Sequence, residues 1–190
     1  MTYRIGSLFS GYGGLEMGIM SVLDAEVVWH CEFDAAPSKI LATHNPNIPN
    51  FGDVTAVDWA TVEPVDILCG GFPCQDVSLA GKRAGLKEGT RSGLWSHFAL
   101  AIEQLRPRMV VIENVRGLLS ADAFSDVEYC AWCMGTADTQ HNLRALGAVL
   151  GSLADLGYDA EWVSVRASDA GAPHRRERVF ILGHSRGSDA

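Results

Sequence analysis

Arg4-Ile5-Gly6-Ser7-Leu8-Phe9-Ser10-Gly11-Tyr12-Gly13-Gly14-Leu15-Glu16 decides the fold. Arg4 to Phe9 reads as a short apolar strand, Ser10 to Gly14 as a glycine turn, and Leu15 to about Leu23 as a helix. A strand that turns through glycines straight into a helix is the first unit of an open α/β sheet, in which ligands sit beyond the carboxyl ends of the strands. Glycine lets the backbone turn tightly and approach such a ligand. The dinucleotide pattern G-x-G-x-x-G is not met, because its sixth position is Glu16, and there is no P-loop lysine. A tight structural turn is the plain alternative for this segment alone.

Outward from that unit, apolar runs alternate with amphipathic stretches, which predicts an α/β domain with a mainly parallel sheet flanked by helices. Glu26 to Cys31 reads as a second strand and about Ala35 to Thr43 as a helix, stopped by Asn45-Pro46-Asn47. Val65 to Cys69 is a third strand, running into Gly70-Gly71, and Ser92 to Leu105 has helical spacing up to Pro107. Met109 to Ile112 is a buried strand, and Leu143 to Leu156 is a helix that Gly157 is placed to end. Glu161 to Val165 and Arg178 to Leu182 read as closing strands, while the stretch from Leu118 to about His141 fits neither period and reads as an irregular excursion. No repeat or low-complexity linker divides residues 1–190, so a single domain is expected.

With 190 residues, 47% hydrophobic and 20% charged, the composition is that of a globular domain large enough to bury a core. The five cysteines are odd in number and follow no secretory signal, which argues against a disulfide framework. No apolar run reaches membrane-spanning length, and a cytoplasmic location is expected. The net charge of −8 is unusual for a self-sufficient binder of duplex DNA, because phosphate contacts require a basic surface. Positive charge gathers in two stretches, Gly81 to Gly93 and Arg166 to Arg186.

Several polar residues stand at the ends of the expected strands. Glu32 follows the second strand, placed for ribose hydroxyls, and Asp53 in Gly52-Asp53-Val54 is placed for an adenine edge. Each acid taken alone is an ordinary solvated loop charge. Cys74 in Gly70-Gly71-Phe72-Pro73-Cys74-Gln75 falls in the same crevice, and a thiolate is the nucleophile suited to an electron-poor ring. A lone cysteine is otherwise a small buried apolar residue. Glu113 in Glu113-Asn114-Val115-Arg116 closes the strand Met109 to Ile112. Arg176 and Arg178 lie two apart, so an extended segment puts them on one face, where paired guanidiniums suit a base carbonyl and phosphates.

In this order, the glycine turn, Pro73-Cys74-Gln75, Glu113-Asn114-Val115 and Arg176-x-Arg178 resemble the DNA cytosine-5 methyltransferase family from Ser7 to Gly183. Ala80-Gly81-Lys82-Arg83 and Arg91-Ser92-Gly93-Leu94-Trp95 add to the likeness. The resemblance implies a Rossmann-like S-adenosylmethionine-dependent methyltransferase fold, parallel except for one antiparallel strand near its C-terminal edge. It assigns Phe9, Gly11, Gly13 and Gly14 to the methionine part of the cofactor, Glu32 to its ribose, and Phe33, Asp53 and Val54 to its adenine. Leu94 is expected to touch the cofactor as well. Cys74 becomes the nucleophile, Glu113 the group at the ring N3 and exocyclic amine, Arg178 the ligand of O2, and Arg176 a support of the cysteine loop or of phosphates. Pro73, Gln75, Ser78, Asn114 and Arg116 become substrate contacts. The implied partner is double-stranded DNA with a flipped cytosine, in the setting of DNA methylation and restriction-modification.

Two departures from the family pattern stand out. Pro173-His174-Arg175-Arg176-Glu177-Arg178 replaces the usual Pro-Gln-Lys-Arg-Glu-Arg but keeps both arginines. Beyond Gly183, where the family continues into a target-recognition region and two further motifs, only His184 to Ala190 remain, so a second polypeptide or a further C-terminal part is expected to complete the enzyme. An RNA cytosine-5 methyltransferase and a catalytically silent nucleic-acid- or partner-binding module of the same fold are the alternatives. Cys130 and Cys133 form a C-x-x-C pair, half of a zinc site, with no evident fourth ligand.

Overall fold

The computed structural model describes residues 1–73, 94–119 and 145–187, together with the backbone of 78–79 and 124–125. Six strands form one sheet: β1 (Tyr3–Leu8), β2 (Ala25–Cys31), β3 (Ile67–Gly70), β5 (Met109–Val115), β7 (Tyr158–Arg166) and β8 (Glu177–Ser185). A two-residue ladder pairs β4 (Ser78–Leu79) with β6 (Phe124–Ser125). The sheet order is β2-β1-β3-β5-β8-β7. β1 pairs in parallel with β2 and β3, and β3 with β5, whereas β8 runs antiparallel to both β5 and β7. β8 is therefore the single reversed strand, one place in from the edge. The expected Rossmann-like α/β class is the one found.

Side-chain alternation along the strands makes two cores. Ile5, Ile67 and Cys69 face α1 (Gly14–Met20), which contributes Ile19. Leu8, Trp29, Leu68, Val110 and Ile112 face the other way, toward α3 (Leu94–Leu105) and α4 (Ala145–Asp155). Within α3, Trp95, Phe98, Ala101, Ile102 and Leu105 are buried, a single stripe at helical spacing. Burying one such large apolar side chain stabilises by roughly 1.5–3 kcal/mol. Gly6 is set by this packing, since a Cβ there would lie 2.1 Å from the Trp29 ring. α2 (Ala35–His44) ends at Asn45, as the turn residues predict, and Gly157 ends the α4 connection with φ 90°.

Three strands exceed their expected lengths by two residues or more. β5 runs on to Val115, β7 spans Tyr158–Arg166 and β8 spans Glu177–Ser185. The antiparallel ladders extend all three, with Val115 opposite Arg178 and Arg166 opposite Glu177. Part of the expected excursion is ordered too: Arg116–Leu119 forms a 3-10 turn and Phe124–Ser125 joins the small ladder. Its remaining residues, with Cys130 and Cys133, lie outside the described residues. No helix among the described residues is long and apolar enough to cross a membrane.

Candidate active site

From β1 the chain passes outward to β2 and returns on the other side of β1 to form β3. The direction of winding reverses between β1 and β3, and that switch point is where an open α/β sheet leaves a crevice beyond its strand ends. A cavity of about 370 Å³ lies there. Its walls include the turn after β1 (Phe9, Ser10, Gly11), the glycines after β3 (Gly70, Gly71), and Glu113 with Arg176.

The turn after β1 holds left-handed backbone at Phe9 (φ 52°), Gly11 (φ 58°) and Gly13 (φ 92°). Glycine adopts that region freely, but Phe9 does so at a cost. Two contacts hold Phe9 in place: its N–H donates to the Cys31 carbonyl at 2.8 Å, and its ring stacks on Phe98 at 6.4 Å. Glu32, almost fully buried, ties this turn to the end of β2. One carboxylate oxygen accepts from the Gly11 N–H and the other from the Asp34 N–H, each at 2.7 Å. A carboxylate offers about four lone-pair positions, so each oxygen keeps one for a hydroxyl donor. That chemistry suits the hydroxyls of an adenosine-type ligand, although Glu32 is not itself among the residues that line the cavity.

Asp53 has another local task. Its Oδ1 accepts from the Thr55 N–H at 2.9 Å and the Thr55 hydroxyl at 2.8 Å, and these bonds lower its pKa below the ordinary carboxylate value. Val54 beside it is buried, Leu94 packs at the start of α3 against the core, and Phe33 is 73% exposed.

Glu113 lies on β5 opposite Phe180, and Arg178 lies opposite Val115. The two are diagonal neighbours on one face of the antiparallel pair, close enough for long side chains to meet. Arg178 Nε stands 2.7 Å from Glu113 Oε1. The N–H is not aligned for a hydrogen bond, so the pairing is Coulombic. Arg176, just before β8, reaches the cavity wall instead. The two arginines expected on one face thus divide between the glutamate and the cavity. Gly71 is the counterpart on β3's side: a Cβ there would sit 2.8 Å from Glu113 Oε2. At Gly70 it would meet the Leu8 carbonyl oxygen at 2.3 Å.

Asn114, 2% exposed, points to the other face of β5. Its amide donates to the Phe72 carbonyl at 2.9 Å and so steadies the backbone leading to Pro73, which is exposed. Cys74, Gln75 and the Ser78 side chain lie outside the described residues. Arg116 is largely exposed, 3.5 Å from Glu177, which also accepts from the Ser164 hydroxyl at 2.7 Å. Cys31 and Cys69 are free but buried. Burial, reinforced by the Asp53 and Glu32 carboxylates, pushes the Cys31 thiol up to about 12, and burial raises Cys69 well above its ordinary value. Neither forms an appreciable thiolate near neutrality. No group of three or more His, Cys, Asp or Glu among the described residues could hold a metal ion.

Two features went unread in the sequence. Glu16 and His30 form a buried pair under α1, with Oε1 and Nδ1 3.7 Å apart and each side chain 2% exposed. Neither side chain has a hydrogen-bond partner among the described residues. The other is Asn50, whose side chain binds the backbone of Glu32. In the sequence its neighbourhood signals only a turn.

Comparison with known proteins agrees with this arrangement. The family model described as C-5 cytosine-specific DNA methylase matches residues 3–190. The type II methyltransferase M.NgoBV of Neisseria gonorrhoeae is 32% identical over 181 residues, covering 93% of this chain and 40% of that protein. M1.ScrFI of Lactococcus lactis subsp. cremoris is 31% identical over 186 residues, covering 98% and 42%. The chain thus spans about two fifths of the length of these curated relatives. Among solved structures, the S. pombe Dnmt2 methyltransferase superposes with a TM-score of 0.70 at 16% identity, over 99% of this chain and 52% of that one, which shows the fold. A sheet with its crevice at the β1/β3 switch point and a family match over nearly the whole length lead to one conclusion: the chain belongs to the C-5 cytosine-specific DNA methylase family.

Proposed function

We propose that the chain methylates carbon 5 of cytosine in DNA, with Cys74 as nucleophile. One observation carries the proposal: a single cavity is walled both by the glycine turn after β1 and by Glu113 with Arg176. Donor and acceptor must meet within bonding reach, and a shared cavity is the geometry that permits it.

When bound, S-adenosylmethionine supplies an electrophilic methyl group. Phe9, Gly11, Gly13 and Gly14 bind its methionine part, Glu32 its ribose hydroxyls, and Phe33, Asp53, Val54 and Leu94 the remainder of the nucleoside side. The Cys74 thiolate adds to carbon 6 of the flipped base, which breaks the ring's conjugation and makes carbon 5 nucleophilic. Glu113 holds N3 and the exocyclic amine, stabilising charge as the adduct forms. Arg178 orients Glu113 and binds O2, while Arg176 faces the same cavity for the cysteine loop or a phosphate. Methylation at carbon 5 is followed by loss of its proton to a base, and the electron pair released expels Cys74 as thiolate. Pro73, Gln75, Ser78, Asn114 and Arg116 shape the approach of the substrate. The net charge of −8 supports a further element of the reading, that a second polypeptide supplies much of the duplex contact.

The test is incubation with S-adenosylmethionine and a duplex carrying 5-fluorocytosine, followed by denaturing electrophoresis. Fluorine at carbon 5 blocks the final elimination, so the expected product is a covalent band that disappears in Cys74→Ala. A band that survives that substitution overturns the assignment of Cys74. The absence of any band, both alone and with the remaining portion of a relative supplied in trans, overturns the activity.

A further inference from the structure

We infer that Asn50 is a positioning residue for the nucleoside half of the cofactor site, holding Glu32 and the Gly52–Asp53 loop in one frame. The inference rests on the reading of Glu32 and Asp53 given above. Pro49–Phe51 lies beside β2 as a one-residue parallel bridge between Asn50 and His30. The His30 N–H donates to the Pro49 carbonyl at 2.9 Å, and the Phe51 N–H to the His30 carbonyl at 2.8 Å. Two residues past His30, where the backbone pairing stops, the Asn50 side chain takes over.

Its Oδ1 accepts from the Glu32 N–H at 2.9 Å, and its Nδ2 donates to the Glu32 carbonyl at 3.1 Å. A side-chain amide thus stands in for a neighbouring peptide. The same Oδ1 accepts from the Gly52 N–H at 3.1 Å, immediately before Asp53. The same Nδ2 donates to Ser38 Oγ at 3.2 Å, and that hydroxyl donates chiefly to the Asp34 carbonyl at 2.7 Å, with the Glu32 carbonyl at 3.1 Å. An asparagine amide offers two donors and two acceptor positions, and here all four are used.

The chemistry selects the residue type. Aspartate would keep both acceptor bonds but lose both donors and bring a negative charge against the Glu32 carbonyl, while alanine would lose all four bonds. Glu32's main chain is fixed by Asn50, and its carboxylate by Gly11 and Asp34. Asn50 therefore acts on the ribose through Glu32 and on the adenine side through Gly52. Its effect is expected on recognition of the nucleoside, beyond whatever stability the four bonds contribute.

The experiment measures binding of S-adenosylhomocysteine, adenosine and 2′,3′-dideoxyadenosine by calorimetry to the wild type, Asn50→Ala, Asn50→Asp, Glu32→Ala and the Asn50→Ala/Glu32→Ala double variant. Melting temperatures are taken in parallel. The wild type is expected to prefer adenosine over the dideoxynucleoside. Asn50→Ala should weaken S-adenosylhomocysteine about tenfold, the scale of hydrogen bonds lost around a charged group. It should also bring the adenosine preference close to one, with Asn50→Asp intermediate. The double variant should lose well short of the sum of the two single losses, since one residue acts through the other. An adenosine preference unchanged in both Asn50 variants overturns the inference while leaving Glu32 in place, as does full additivity. A wild type without the preference, or Glu32→Ala without an effect, overturns the cofactor reading and the inference with it. If Asn50→Ala does not fold, Asn50→Asp carries the same test.

Discussion

The two sides of the crevice are held by different forces. On the β1–β2 side, Glu32, Asn50 and Asp53 are fixed by short bonds to backbone N–H and carbonyl groups. On the β5–β8 side, Glu113 faces the Arg178 guanidinium at 2.7 Å without an aligned hydrogen bond. Directional bonds to the main chain specify geometry before a ligand arrives. A Coulombic pair tolerates reorientation, because its attraction varies slowly with angle. The first arrangement holds one geometry, and the second leaves Glu113 and Arg178 freer to reorient.

The widest separation of the two sides is expected from Cys74→Ala, which should abolish covalent trapping while S-adenosylhomocysteine binds with unchanged affinity, checked by electrophoresis and calorimetry. Next comes Glu113→Gln, expected to slow adduct formation by about 10²–10⁴-fold, the range of a lost acid-base or charge-stabilising group, again without a change in cofactor affinity. A comparable loss of affinity in either variant would erase the distinction between the sides.

A third experiment concerns the floor beneath the glycine turn, where Glu16 and His30 are buried together. Breaking a buried pair from one side leaves a polar group stranded, so Glu16→Leu or His30→Leu should each cost about 3–5 kcal/mol in urea unfolding. The double leucine variant should recover most of that. A double variant as unstable as the sum of the singles would show that the two groups do not interact.

The smallest effect is a control at the opposite end of the sheet. The Tyr158 hydroxyl donates to the Pro107 carbonyl at 2.6 Å, and burial lifts its pKa from 10.0 to about 12. The folded state therefore keeps the proton that the unfolded chain gives up. This contribution is complete below about pH 10 and disappears as pH rises toward 12. Tyr158→Phe should cost about 1 kcal/mol at neutral pH. It should also reduce the loss of stability above pH 10, leaving the share due to the buried thiols of Cys31 and Cys69, both raised. Neither side of the crevice should respond.

What the sequence disclosed follows from what is local. The strand-turn-helix from Arg4 onward, the helix stripe of α3 and the stop at Gly157 depend on neighbours a few residues away, and all appear in the structure. The extension of β5 to Val115 depends on β8, some seventy residues later in the chain, and periodicity within Met109 to Ile112 holds no sign of it. Glu113 was legible as a strand-end acid, but its pairing with Arg178 follows from antiparallel register. Asn50 was hidden for a related reason: its four bonds join residues from 32 to 52, and a lone asparagine after a proline signals only a turn. Glu16 and His30 were hidden because a charged and an aromatic polar residue are ordinarily placed at the surface.

The paired glycines that close β3 differ in what a mutation would do. A side chain at Gly70 would strike the Leu8 carbonyl at 2.3 Å, backbone against backbone-bound atom, and nothing there can move aside. At Gly71 the obstacle is the tip of Glu113, 2.8 Å away, which can swing clear. A substitution at the first position is expected to destabilise the fold. At the second it is expected to leave the fold intact and displace the Glu113 carboxylate. Two adjacent positions of one turn thus guard different things: the first the spacing of the sheet, the second the placing of one carboxylate.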